Sequence, residues 1–315
     1  MQKRPLGNSG ISVAPLAFGG NVFGWSADNA TSMRLLDRCV DLGINLIDTA
    51  DMYSDWVPGH DGGESETIIG DWLKKSRQRE NVVIATKVAK LKSRRGLSSA
   101  NINAAIDDSL RRLRVEHIDL YQAHEDDDSV PMEDTLGAFS RLIEQGKIRA
   151  IGASNFTASR LAQALTISAK HGLPRYETLQ PGYNLMDRTD YESELEAVIH
   201  KETVGVICYF SLAKGFLTGK YRSEADLSKS KARGGGVKDY LDARGMRVLA
   251  QLDAVARSHG ATPAQVSLAW LMARPGIPAP IASATSIEQL DEIAGAMALR
   301  LSEGDIAELD RASAT

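Results

Sequence analysis

The chain is short of cysteine, of basic excess and of long apolar runs, and each shortage removes a class of function. Only Cys39 and Cys208 occur in 315 residues, far apart and outside any CxxC or Cys/His spacing. Neither a disulfide framework nor a zinc site is therefore expected, and both cysteines read as small buried hydrophobes. Lys and Arg total 37 against 41 Asp and Glu, a net charge of -4. That balance leaves no surplus of cations to neutralise phosphates, so a nucleic-acid partner is not expected. No stretch approaches the roughly 20 apolar residues of a membrane helix, and the opening MQKRPLGNSGISVAPLAFGG has no apolar run of signal-peptide length. The expectation is a soluble, cytoplasmic protein with no membrane partner.

Two further absences bear on architecture. No Pro- or Ser-rich linker divides the chain, and no GxGxxG turn joins a first strand to a helix, as a doubly wound dinucleotide-binding sheet would require. The nearest glycine cluster, Arg233-Gly-Gly-Gly236, falls in a long polar segment and reads as a flexible loop.

What is present is an eightfold alternation of short β-branched runs with amphipathic stretches of helical period, the pattern of a parallel sheet covered by helices. The strands are APLAFG, INLIDT, NVVIATK, HIDLYQ, IRAIGAS, ETLQP, GVICYF and APIASA. Helices are predicted over Ser32 to Leu42, Glu64 to Lys75, Ser99 to Leu113, Met132 to Gln145, Ala158 to His171, Tyr191 to Glu202, Leu241 to Ser258 and Ile287 to Ala298. Gly43, Gly146 and Gly172 stand just past apolar turns, where a left-handed cap residue is wanted. The opening KRPLGNSGISV has the form of a hairpin with GNSG at its turn, placed to plug a barrel floor. The predicted fold is α/β, a single (β/α)8 barrel spanning 1–315 with that hairpin at its base.

On such a barrel, catalytic groups stand at the carboxyl ends of the strands. Asp48 ends the second strand, Tyr53 lies five residues further on, Lys87 ends the third strand and His124 follows the fourth. Each alone has a plain structural explanation, but four ionisable groups from neighbouring strands have a joint chemical logic. A tyrosine with its ordinary pKa near about 10 is a poor proton donor at neutral pH, and a lysine ammonium beside it strengthens the acid. A carboxylate holds the lysine charged, and a histidine opposite hydrogen-bonds the carbonyl oxygen on which charge accumulates.

On GINLIDTADMYS, ATK and DLYQAH the sequence resembles the aldo-keto reductase superfamily from end to end. The resemblance implies Asp48, Tyr53, Lys87 and His124 as catalytic residues. In IGASNF it places Ser154 and Asn155 on a nicotinamide carboxamide with Gln180 as companion, although helix N-capping is the other reading of the first two. CYFSLAKGFLTGKY is similar to the stretch that stacks Tyr209 on the nicotinamide and runs Leu212, Gly215 and Leu217 along the diphosphate. IASATSIEQLDEI resembles the adenosine segment, with Ser283, Gln289 and Glu292 at matching places. Three departures stand out: Thr285 where many relatives carry a cation, Ile293 where they carry Asn, and Cys208 where Pro is common. Loss of the cation weakens a preference for the 2′-phosphate, so NADPH/NADP+ is the expected cofactor with NADH/NAD+ as the alternative.

Phe23, Trp25 and Trp56 are candidates for the wall of a substrate pocket, with a structural wedge as their other reading. The acidic run Glu125-Asp-Asp-Asp128 reads as a solvated loop before a helix, and no metal is expected. The leading expectation is reduction of a small aldehyde or ketone, the alternative being a sugar or secondary-alcohol dehydrogenase running the reverse oxidation. The resemblance also takes in channel-associated β subunits that act mainly as binding modules, but no extra domain or amphipathic arm favours that role. The sequence names neither the substrate nor the oligomeric state.

Overall fold

In the computed structural model, which describes residues 2–229 and 234–314, the alternation folds into a (β/α)8 barrel. After a two-stranded hairpin, β1 (Arg4–Pro5) and β2 (Ser12–Val13), come the barrel strands β3 (Ala17–Gly19), β4 (Leu46–Asp48), β5 (Val83–Val88), β6 (Ile118–Ala123), β7 (Ile148–Ser154), β8 (Tyr176–Gln180), β9 (Gly205–Val206) and β10 (Ile281–Ala282). They pair in parallel in the order β10-β3-β4-β5-β6-β7-β8-β9. Between the two ends of that order, the Ile281 N–H donates to the Cys208 carbonyl at 2.9 Å.

The covering helices are α1 (Asn29–Asp41), α2 (Glu64–Ser76), α3 (Ser99–Leu113), α4 (Met132–Glu144), α5 (Ala158–His171), α6 (Glu196–Glu202), the single turn α7 (Gly234–Val237), α8 (Ala243–His259), α9 (Pro263–Met272), α10 (Ile287–Gly295) and α11 (Glu303–Ser313). Their starts are written in the sequence: Asp28, Ser98, Thr157, Asp242, Thr262, Ser286 and Ser302 each accept a backbone N–H of the first turn, each cap worth about 1 kcal/mol. Gly43, Gly146 and Gly172 have φ of 75°, 70° and 63°, the left-handed geometry expected of them.

The expected eight helices are present with three corrections. The first begins at Asn29, not Ser32, because Asp28 supplies the cap. The sixth opens with a π-helical turn over Tyr191–Leu195. Two helices were not anticipated: α9, buried on all sides and therefore without amphipathic period, and α11, an amphipathic helix behind α8. Of the glycine cluster expected as a loop, Gly234–Val237 forms a helical turn, and Arg233 lies outside the described residues.

The hairpin closes the floor. Gly7 and Gly10 take the positive φ angles of its turn, 53° and 73°. Its apolar side chains Leu6, Ile11 and Val13 pack into a second core with Leu46, Ala85, Leu120, Ala150, Ile207 and Ile281. Those strand residues point inward, and the two-residue period of a strand turns their i+2 neighbours inward at the next level up. Above Leu46 comes Asp48, above Ala85 comes Lys87, above Leu120 comes Gln122 and above Ala150 comes Gly152. Outside the sheet, α2 presses so closely on α3 that a methyl at Gly70 would collide with the Arg112 carbonyl oxygen.

Both cysteines are buried thiols, as expected. Burial pushes Cys208 up to about 12 and Cys39 higher still. Among the described residues no helix is long and apolar enough to cross a membrane.

Candidate active site

The upper level of the barrel interior is polar. Lys87, fully buried, donates from Nζ to Asp48 Oδ2 at 2.7 Å, to the Thr49 carbonyl at 2.8 Å and to the Tyr53 hydroxyl at 2.9 Å. The Tyr53 hydroxyl also lies 3.3 Å from Asp48 Oδ2. Three of the four expected catalytic residues thus form one hydrogen-bonded group. Burial pushes the Lys87 ammonium below its ordinary value, while Asp48 above all, helped by Asp51 and Glu66, acts to keep it charged. The ammonium thus lies against the Tyr53 hydroxyl, the arrangement in which a cation can assist a phenol to give up its proton.

His124 faces Tyr53 edge to face, with ring centroids 6.1 Å apart. Burial, reinforced by Lys87 and Lys90, holds its imidazole well below the ordinary histidine value. At neutral pH the ring is therefore uncharged and carries a single N–H, and its buried Nδ1 has no hydrogen-bond partner among the described residues.

The structure also shows what holds Asp48, which the sequence reading missed. Gln180 Nε2 donates to Asp48 Oδ1 at 2.9 Å, and Gln122 Nε2 approaches the same oxygen at 3.4 Å. Gln122 had a signal in the sequence, for it stands two residues before His124 on the same face of its strand. Behind β5, Glu66 of α2 accepts from Thr86 Oγ1 and from Arg112 Nε, both at 2.6 Å. Asp51 is buried nearby. Burial, then the charge of Glu66, pushes its carboxyl up to about 8 against the pull of Arg112 and Arg94.

The residues expected around a nicotinamide gather at the ends of β7, β8 and β9. Ser154 Oγ donates to the Gln180 carbonyl at 2.9 Å, and Asn155 Nδ2 donates to the His124 carbonyl at 2.8 Å. The Tyr209 hydroxyl donates to Asn155 Oδ1 at 2.8 Å. N-capping of the following helix belongs to Thr157, so it explains neither Ser154 nor Asn155. Tyr209 lies against Gly182, where a Cβ would come within 3.3 Å of its ring. Its hydroxyl is pushed above the ordinary value by burial and by Asp187 and Asp190. Leu212 precedes, and Gly215 and Leu217 lie in, a 3-10 segment over Ala213–Thr218, with Gly215 at φ 99°. Ser283 Oγ donates to Asn21 Oδ1 at 2.7 Å, joining the last βα loop to the first. Gln289 Oε1 accepts from the Thr285 N–H at 2.9 Å, and the Glu292 carbonyl accepts from Gln265 Nε2 at 2.9 Å. Ile293, the apolar departure, packs in the core.

Of the three aromatics expected at the opening, Trp25 and Trp56 pack on each other edge to face at 5.4 Å, and Trp56 is 38% exposed. Trp56 in turn meets Tyr53 at 6.1 Å. Phe23 is instead a wedge: it is fully buried and stacks on Phe18 at 5.5 Å. The acidic run is engaged with neighbouring groups, Asp126 with Arg160 and Glu125 with Lys90, while Asp127 accepts the Leu97 N–H.

The model of the Aldo/keto reductase family matches residues 15–314. Protein tas of Escherichia coli is 33% identical, the match covering 98% of this chain and 97% of that one. Aldo-keto reductase YhdN of Bacillus subtilis is also 33% identical, over 91% of this chain and 85% of its own. A protein named as a putative voltage-gated potassium channel subunit beta in Schizosaccharomyces pombe is 32% identical over 92% of this chain and 86% of its own.

Proposed function

The chain belongs to the aldo/keto reductase family, and from that premise we propose that it reduces a small aldehyde or ketone to an alcohol, with NADPH as hydride donor and Tyr53 as proton donor. One observation carries the reading: a fully buried ammonium, Lys87, lies 2.9 Å from the Tyr53 hydroxyl and 2.7 Å from the carboxylate that keeps it charged. A phenol needs such a neighbour to act as an acid near neutral pH.

The residues at the strand ends suit a dinucleotide. The amides of Asn155 and Gln180 match the donor and acceptor of a carboxamide, and Tyr209 on its Gly182 shelf offers a ring face for a planar heterocycle. When bound there, a reduced nicotinamide supplies the hydride. The chain's own residues do the rest. The Tyr53 O–H bond breaks toward the substrate oxygen, Lys87 stabilises the phenolate left behind, and Asp48 balances the lysine. Neutral His124 donates an N–H to the same substrate oxygen and orients it. Trp25 and Trp56 shield the opening from water. Thr285 brings no cation to a 2′-phosphate, so the preference for NADPH over NADH is expected to be modest.

Tyr53→Phe tests the assignment. Turnover of a general aldehyde is expected to fall by about 100-fold to 10,000-fold, the usual worth of a general acid, with NADPH affinity, read by fluorescence titration, almost unchanged. Turnover close to that of the natural protein would end the assignment.

A further inference from the structure

Gln122 lies inside the barrel at the level of Lys87, against Asp48 of the proton-donating group. It is fully buried, in register with Lys87 on one side and Gly152 on the other. The glycine makes room for it. A Cβ at position 152 would come within 3.1 Å of Gln122 Cγ and collide with the Thr178 hydroxyl. A buried amide in a space kept open by a glycine calls for a reason, because an apolar residue of the same size would stabilise the core without needing hydrogen bonds.

The reason lies in what Gln122 shares with Gln180. Asp48 Oδ1 takes Nε2 of Gln180 at 2.9 Å and Nε2 of Gln122 at 3.4 Å, and Gln180 Nε2 also lies 3.5 Å from Gln122 Oε1. A carboxylate only accepts, so both amides must turn their NH2 groups toward it. With its NH2 committed to Asp48, and steadied there by the Gln122 carbonyl, Gln180 has only one orientation left, and its own carbonyl is turned away from Asp48. An acceptor so directed suits the NH2 of a carboxamide.

We propose that Gln122 is a positioning residue which, by sharing Asp48 Oδ1 with Gln180 and offering its own carbonyl to the Gln180 NH2, holds the Gln180 amide in the one orientation that turns its carbonyl toward a carboxamide. This rests on the reading of the site given above. It makes Gln122 a determinant of cofactor recognition although it lies beneath the residues assigned to the cofactor.

The test replaces Gln122 by Met and by Leu, both close to it in size and neither able to hydrogen-bond Asp48 or Gln180. The probes are NADPH and its 3-acetylpyridine analogue, in which a methyl group stands where the carboxamide has its NH2. Affinity for each is read by fluorescence or calorimetric titration, independently of turnover. Loss of a well-oriented hydrogen bond is worth about fivefold, so both variants are expected to bind NADPH about fivefold more weakly while binding the analogue as the natural protein does. Their kcat is expected to fall with the KM for the aldehyde nearly unchanged. Two folded variants that keep the natural preference for NADPH over the analogue would overturn the proposal. If one variant fails to give a native circular dichroism spectrum, the other decides. Tyr53→Phe run alongside separates the two claims: an active Tyr53→Phe sinks the function, whereas an inactive one with unaltered Gln122 variants sinks only the role of Gln122.

Discussion

Replacing Asp48 by Asn tests the electrostatic argument most directly, because it keeps the shape and deletes the charge that Lys87 depends on. Lys87 and Asp48 are 0% and 1% exposed and 2.7 Å apart, so water screens neither. Removing one partner of such a pair strands the other, at a cost of about 3 to 5 kcal/mol. The cost must also depend on pH in a definite direction. Burial already sets the folded Lys87 below its ordinary value, so over the interval between its folded and unfolded values the folded protein binds fewer protons and stability rises with pH. Without Asp48 the folded value drops further and that interval extends downward. The deficit of Asp48→Asn relative to the natural protein should therefore be largest near pH 6 and shrink toward pH 9, by at most about 1.4 kcal/mol per pH unit. Urea unfolding followed by tryptophan fluorescence at pH 6, 7.5 and 9 measures it. A deficit that is constant, or that grows with pH, would refute the reasoning.

Two other substitutions probe the layer behind the site. The Asp51 carboxyl, at about 8, holds its proton more tightly folded than unfolded. Its contribution to stability is therefore full below the ordinary aspartate range and drains away as pH rises toward about 8. Thermal melts of Asp51→Asn should accordingly improve relative to the natural protein between pH 5 and pH 8, and a difference that stays flat would count against a protonated Asp51. Gly70→Ala, which in an open helix would gain about 1 kcal/mol, should instead lose about 1 to 3 kcal/mol because the methyl meets the Arg112 carbonyl. A variant more stable than the parent would show that α2 and α3 are not in that close contact.

Much of the barrel was legible because its signals are local. The helices Ser99–Leu113 and Ala158–His171 match their predicted spans residue for residue, since each carries a hydroxyl cap at its start and one clear apolar face. Helix α9 was missed for the opposite reason. Buried on every side, VSLAWLM has no period to detect, and what marked it was its start, the capping box of Thr262 and Gln265 with Pro263 in the first turn. Helix α11 had a similar box in Ser302 and Asp305. At the site, Asp48, Tyr53 and Lys87 were expected together and are bonded together, but the amides beneath them were only half seen. Gln180 entered as a cofactor contact and Gln122 not at all, because a neutral amide inside a strand gives no charge signal. Its inward direction follows from counting two residues back from His124, a step that needs the strand's face to be known. Phe23 went the other way: its place in a βα loop suggested the opening, and only packing on Phe18 reveals a wedge.

The hairpin at the base carries a consequence for how the chain is made. Leu6, Ile11 and Val13 are synthesised well before Ile207, Ala279 and Ile281, which line part of the socket that receives them. The plug precedes this last part of its socket by more than half the chain. Until the last strand has been delivered and laid beside the first, these apolar side chains have no complete enclosure, and the contacts that seal the base are among the most distant in sequence that the protein makes. The seal is thus a late event in folding, and an incomplete chain ending before β10 would present its plug to other molecules.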